Sequence, residues 1–243
     1  MDRRKKTIFS IILKILTFLF VTLGIILCIT SADSFMGGAK ILFKYFTIQS
    51  NIFIGICSVV LAFKLIKSLK AGRYELSHID EVFHIMFTVS ITLTGIVYCF
   101  VLLPVALSSD PSSGEMMLAP QQLMLHVIVP VLSVADLLFF TRPTTYKFLT
   151  KDIFLSVIPP LYYLGFSRVG YVLNWDFGEG NNYPYFFLNY ASPAGFFGFT
   201  GNPPYFMGVF WWILAILAFI LIISKIYTLI INTASKRYVN KLI

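Results

Sequence analysis

The chain is short of charge. Only 12% of its 243 residues are Asp, Glu, Lys or Arg, about half the share of a soluble domain. It is shorter still of acid, with 11 Asp and Glu against 19 Lys and Arg. It has three cysteines, Cys28, Cys57 and Cys99, in separate apolar stretches without paired spacing. That excludes a disulfide framework or a metal knuckle and reads as small packing residues. Glu-x-x-His occurs once, at Glu81-Val82-Phe83-His84. A di-iron bundle needs that motif twice plus two further Glu, and Glu75, Glu115 and Glu179 are not placed to help. No metal or other cofactor is therefore expected. What is present is apolar: 58% of residues are hydrophobic, 17% are aromatic, and mean hydropathy is +0.82. A water-soluble enzyme, a disordered tail and a nucleic-acid module are excluded, despite a net charge of +8.

Six segments are long enough to cross about 30 Å of hydrocarbon as helices, near 8–30, 41–66, 81–107, 120–141, 152–173 and 204–231. Backbone satisfaction in lipid, and the lack of strict alternation, make them helices and not barrel strands. The expected architecture is all-α: one domain over 1–243, a polytopic integral membrane protein with six transmembrane helices.

Orientation follows from charge. Arg3, Arg4, Lys5 and Lys6 precede the first span; Lys64, Lys67, Lys70 and Arg73 surround the second connection. Arg142, Lys147 and Lys151 fall in the fourth, and Lys225, Lys236, Arg237 and Lys241 close the chain. Only Lys40 and Lys44 fall on the other side. This asymmetry predicts cytoplasmic N- and C-termini in the cell membrane. It also explains the basic pI as a topology signal and a grip on anionic lipid. The first apolar run is longer than a signal-peptide core and reads as an uncleaved anchor.

Two connections matter. The segment 108–119 reads as a short polar outer loop. The segment 174–203 carries ten aromatics and no Lys or Arg. It is too apolar to extend into water, so it is expected to pack on the helix ends or re-enter, as an interfacial anchor or a lid over substrate.

Ionisable groups inside spans are expensive and are functional candidates. They are Lys14, Glu81, His84, His126, Asp136 and Arg168. Lys14 is close enough to the inner surface to snorkel. His84 and Asp136 fall near the inner side, where they can pair structurally. Thr47, His126 and Arg168 fall in one outer layer, each roughly 8–9 Å deep at 1.5 Å per residue. At about 100° per residue, Gln122, His126 and Ser133 share a face, as do Thr47, Ser50, Asn51 and Ser58. Ser50, Asn51, Ser58 and Ser133 read first as interhelical hydrogen-bond glue. His126 reads as function.

A threonine hydroxyl is a weak nucleophile unless an imidazole takes its proton as it attacks. Asn51 or Gln49 has an amide N–H to offer a developing oxyanion. Arg168 has the geometry to hold a substrate carboxylate or phosphate by two parallel bonds.

The same residues carry a family resemblance. Lys44-Tyr45-Phe46-Thr47-Ile48, Leu125-His126-Val127-Ile128-Val129-Pro130 and Asn182-Tyr183-Pro184-Tyr185-Phe186-Phe187-Leu188-Asn189 resemble, in span order, three motifs of the androgen-induced and androgen-dependent membrane hydrolases and their bacterial relatives. The resemblance implies a six-span threonine hydrolase that cleaves fatty acid esters of hydroxy fatty acids, with Thr47 as nucleophile and His126 as general base. Tyr183 and Asn189 join the substrate-binding candidates through the third motif, as Gln122 does through the face it shares with His126. Here the third motif is one residue longer than the family's, and Asn189 stands where an acid is expected.

The expected activity is therefore hydrolysis of a long-chain lipid ester, with acyl-ester lipid and bilayer lipids as partners. The alternatives are acyl transfer by the same pair, and a non-catalytic transporter or membrane assembly factor.

Overall fold

The computed structural model describes residues 3–32, 34–72, 76–109, 111–140, 148–178, 180–201 and 205–239. Arg73, Glu75, Arg142, Lys147, Glu179 and Lys241 lie outside them. The helices are α1 Arg3–Thr30, α2 Phe35–Lys44, α3 Phe46–Lys70, α4 His78–Ser108, α5 Pro111–Met117, α6 Pro120–Phe140, α7 Thr150–Val172 and α8 Val209–Val239. The described residues form no strands, and α1, α3, α4, α6, α7 and α8 are each long and apolar enough to cross a membrane.

Local chemistry sets the helix ends. Ser34 caps α2 by accepting the Gly37 amide, and Ser77 and Asp80 form a reciprocal capping box at the start of α4. Inside α7 the helix breaks at Ser156–Val157 and restarts with Pro159 and Pro160 in its first turn, where a missing N–H costs nothing.

Packing is inverted relative to a soluble protein. The face of α1 turned inward carries Thr7, Ser10, Lys14 and Thr17 with Val21 and Gly24, at helical spacing. Ser50, Asn51, Thr88, Thr94 and Ser133 are buried likewise, while Phe63, Phe100 and Phe139 are 66–77% exposed. Helices α1, α3, α4 and α6 form an inner group, with α7 and α8 packed against α4. An apolar cluster that includes Phe46, Val89, Leu93, Tyr163, Ile220 and Tyr227 joins the two layers.

Three expectations are corrected. The second span does not begin near residue 41. The chain turns at Tyr45 (φ −113°, ψ 138°), so Thr47 is the second residue of α3 and not one and a half turns inside it. The segment 108–119 is not a simple loop, because α5 folds there and packs on the end of α4. Lys14 does not snorkel: it is 1% exposed and ion-paired.

The aromatic segment after α7 is folded against the bundle. Phe177 and Leu188 are each 2% exposed. Tyr45 Oη donates to the Phe177 carbonyl at 2.5 Å. At Gly170 a Cβ would fall 2.6 Å from the Phe177 ring, so only glycine lets that ring seat on α7.

Candidate functional site

The site begins with two prolines. A proline has no N–H and cannot bond the carbonyl four residues back. Pro104 and Pro130 are each preceded by a π-helical turn, Tyr98–Leu102 in α4 and Met124–Ile128 in α6. In these turns Leu103 N bonds Tyr98 O and Val129 N bonds Met124 O, five residues back. Such turns recur at functional sites because they re-aim side chains and release carbonyls. The two face each other. The Tyr98 and His126 rings stack with centroids 4.4 Å apart and planes 19° from parallel. Gly95 permits this approach, since a Cβ there would meet His126 O and the Pro130 ring at 3.1 Å.

His126 Nδ1 lies 2.9 Å from the Gln122 carbonyl. A carbonyl only accepts, so Nδ1 carries the proton and Nε2 keeps the lone pair of the neutral ring. The orienting partner is a backbone carbonyl one turn back, where a catalytic triad has an acid.

Because Val129 N bonds Met124 O, the Leu125 carbonyl is left for another donor. Asn51 Nδ2 fills that role at 3.1 Å and also donates to Thr47 O at 2.7 Å. One amide thus ties the start of α3 to the π-turn of α6. Ser50 fastens the start of α3 to α4 through Thr94, at 2.8 Å.

Thr47 sits where the first amides of α3 have no intrahelical acceptor and the helix dipole is positive. Its N–H donates to Tyr185 Oη at 3.3 Å. Tyr185 is held by stacking on Phe187, with centroids 5.0 Å apart. Burial pushes its phenol up to about 12, outweighing the Thr47 contacts, so it is a protonated donor at neutral pH.

Thr47 and His126 are 8% and 5% exposed and line one cavity of about 570 Å³. Tyr45, Tyr98, Gln122 and Tyr185 are among its polar lining, and Cys28, Met116 and Met117 also line it. Thr47 and Tyr185 also border a second, apolar cavity on their other side.

The remaining candidates are placed as follows. Gln122 lines the cavity and orients His126. Asn51 is no oxyanion donor, because its amide is committed to two carbonyls. Gln49 Nε2 donates to Phe43 O at 2.8 Å, at the end of α2, and Gln49 is not among the cavity's lining residues. Arg168 is exposed, stacked on the Tyr190 ring at 4.5 Å and near Tyr171 at 5.3 Å, and does not line the cavity. Tyr183 is not among the cavity's lining residues, and Asn189 Oδ1 accepts the Ala191 amide in a local turn. Tyr185 was hidden inside the third motif. Its neighbour Tyr183 carries the same chemistry in sequence, and only the fold decides which phenol reaches Thr47.

A second polar centre lies among α1, α4 and α6. Lys14 Nζ is ion-paired with Asp136 Oδ2, which is 3.3 Å from His84 Nε2. Ser10 Oγ donates to Asp136 Oδ1 at 2.6 Å. His84 therefore pairs with Asp136 and Lys14, and no group of three or more His, Cys, Asp or Glu among the described residues is placed to hold a metal ion.

No family model, curated protein or solved structure matches the chain.

Proposed function

We propose that this protein is a lipid ester hydrolase of the cell membrane, with both termini in the cytoplasm, Thr47 as nucleophile and His126 as general base. One observation carries the reading. Thr47 and His126, on different helices, line the same cavity, and the Gln122 carbonyl leaves His126 Nε2 free to accept a proton.

In the first half-reaction Thr47 Oγ attacks the ester carbonyl carbon. Its proton passes to His126 Nε2, directly or through one water. The Tyr185 hydroxyl, which accepts the Thr47 N–H at the positive end of α3, has its own proton to donate to the developing oxyanion. The intermediate collapses, the bond to the alcohol oxygen breaks, and His126 returns the proton to that oxygen. Water then attacks the acyl-Thr47 carbonyl and gives its proton to His126. Thr47 Oγ leaves and takes the proton back, and the free acid departs.

The test uses purified protein in detergent micelles with an ester of a long-chain hydroxy fatty acid. Thr47→Ala and His126→Ala are each expected to abolish release of acid and to block labelling by an alkyl fluorophosphonate. Turnover that survives both substitutions overturns the proposal.

A further inference from the structure

The apolar cavity behind Thr47 is not involved in proton transfer. It fills the gap between α7 and α8 and is floored by α3 and α4. Leu93, Val97, Leu164, Ile213, Ile216 and Leu217 are aliphatic residues of its wall, and its volume is about 60 Å³. The polar groups on its lining are engaged elsewhere, with one exception. Thr94 Oγ1 bonds Ser50, Tyr163 Oη donates to the Lys44 carbonyl at 2.7 Å, and Tyr185 Oη takes the Thr47 amide. The exception is the Thr47 hydroxyl, the group the hydrolase reading assigns as nucleophile.

Thr47 therefore stands between two unlike spaces: a small apolar one behind it, and an open, partly polar one of about 570 Å³ shared with His126. An ester attacked by a side chain at such a junction must send its acyl and alcohol groups in opposite directions. The alcohol oxygen needs the His126 proton, so the alcohol group belongs on the His126 side. The acyl group is left with the apolar cavity.

We infer that this cavity is the acyl subsite and that it selects short acyl groups, while the long chain of the substrate lies on the alcohol side. The inference rests on the hydrolase reading. Since a cavity of about 150 Å³ holds the six carbons of benzene, this one takes roughly two to three carbons. Each methylene buried up to that limit raises kcat/KM by about fourfold, the equivalent of 0.8 kcal/mol.

The experiment is a chain-length series of p-nitrophenyl esters, acetate to laurate, on the purified full-length protein in micelles. The wild type is expected to peak near propanoate to butanoate. Ile216→Trp fills the cavity and is expected to lower the butanoate-to-acetate ratio of kcat/KM at least tenfold. Leu217→Ala enlarges it and is expected to move the peak two or more carbons upward. Opposite shifts of an internal ratio do not arise from partial unfolding. Esters turned over with a chain-length profile that neither variant moves overturn the subsite assignment and leave the hydrolase reading intact. No turnover of any ester by the wild type overturns both.

Discussion

Asn51 reaches across from α3 to the Leu125 carbonyl of α6, at 3.1 Å, and with the same nitrogen holds the Thr47 carbonyl. It is 0% exposed. Truncation to Ala leaves the Leu125 carbonyl buried without its cross-helix donor, a loss of about 1–3 kcal/mol. It also unties the helix bearing Thr47 from the turn bearing His126. Asn51→Ala is expected to lower thermal stability and to cut kcat by about 10²-fold, in line with an ångström of misplacement. A melting curve and steady-state kinetics read the two effects separately.

Pro130 is the reason the Leu125 carbonyl is available. Pro130→Ala restores an N–H and lets α6 return to regular α-helical bonding, in which Val129 N takes the Leu125 carbonyl. Activity is expected to fall, and the Asn51→Ala change to cost less on this background than in the wild type. A double-mutant cycle measures that coupling, and simple additivity would show that the π-turn and Asn51 act independently.

Tyr185→Phe keeps the ring stacked on Phe187 and removes one hydroxyl. If that hydroxyl faces the oxyanion, kcat drops about 10²–10³-fold while the protein stays folded. The phenol titrates only near pH 12. The wild type is therefore expected to show no loss of activity from Tyr185 across pH 7–10, measured as kcat against pH.

The Lys14–Asp136 pair is a stability element. Both side chains are at most 2% exposed. Removing one partner strands a buried charge, so Lys14→Met is expected to destabilise the fold by about 3–5 kcal/mol. Lys14→Met combined with Asp136→Leu is expected to recover most of that loss, read by unfolding in detergent.

Gly95→Val tests the close approach of α4 to α6. A Cβ alone meets His126 O and Pro130 at 3.1 Å, and the added methyls push the helices apart. Expression is expected to persist while kcat falls. Unchanged kcat would mean that the Tyr98–His126 stack does not position the imidazole.

Much of this is legible in the chain. Six long apolar runs need no partner to be recognised, because a helix satisfies its own backbone hydrogen bonds within the segment. Thr47, Gln122 and His126 stand out because a polar group is expensive among apolar neighbours. Lys14 is misread from sequence because distance from the helix end says how far a cation can reach, not whether a carboxylate waits 122 residues away. Arg168 is misread for the converse reason. Position along α7 gives its distance from the helix end, but helical rotation aims it at Tyr190.

By itself the sequence determined the helical class, the number of apolar spans, the asymmetry of charge and the short list of polar groups worth attention. These depend on composition and on the 3.6-residue period, which are local properties. Only the tertiary structure decided that Thr47 begins a helix, that Asn51 is a tie and not a donor to substrate, and that Tyr185 and not Tyr183 meets Thr47. The last two outcomes are contacts between residues far apart in the chain, and the Asn51 tie also needs the π-turn before Pro130 that leaves the Leu125 carbonyl to it, which no local pattern encodes.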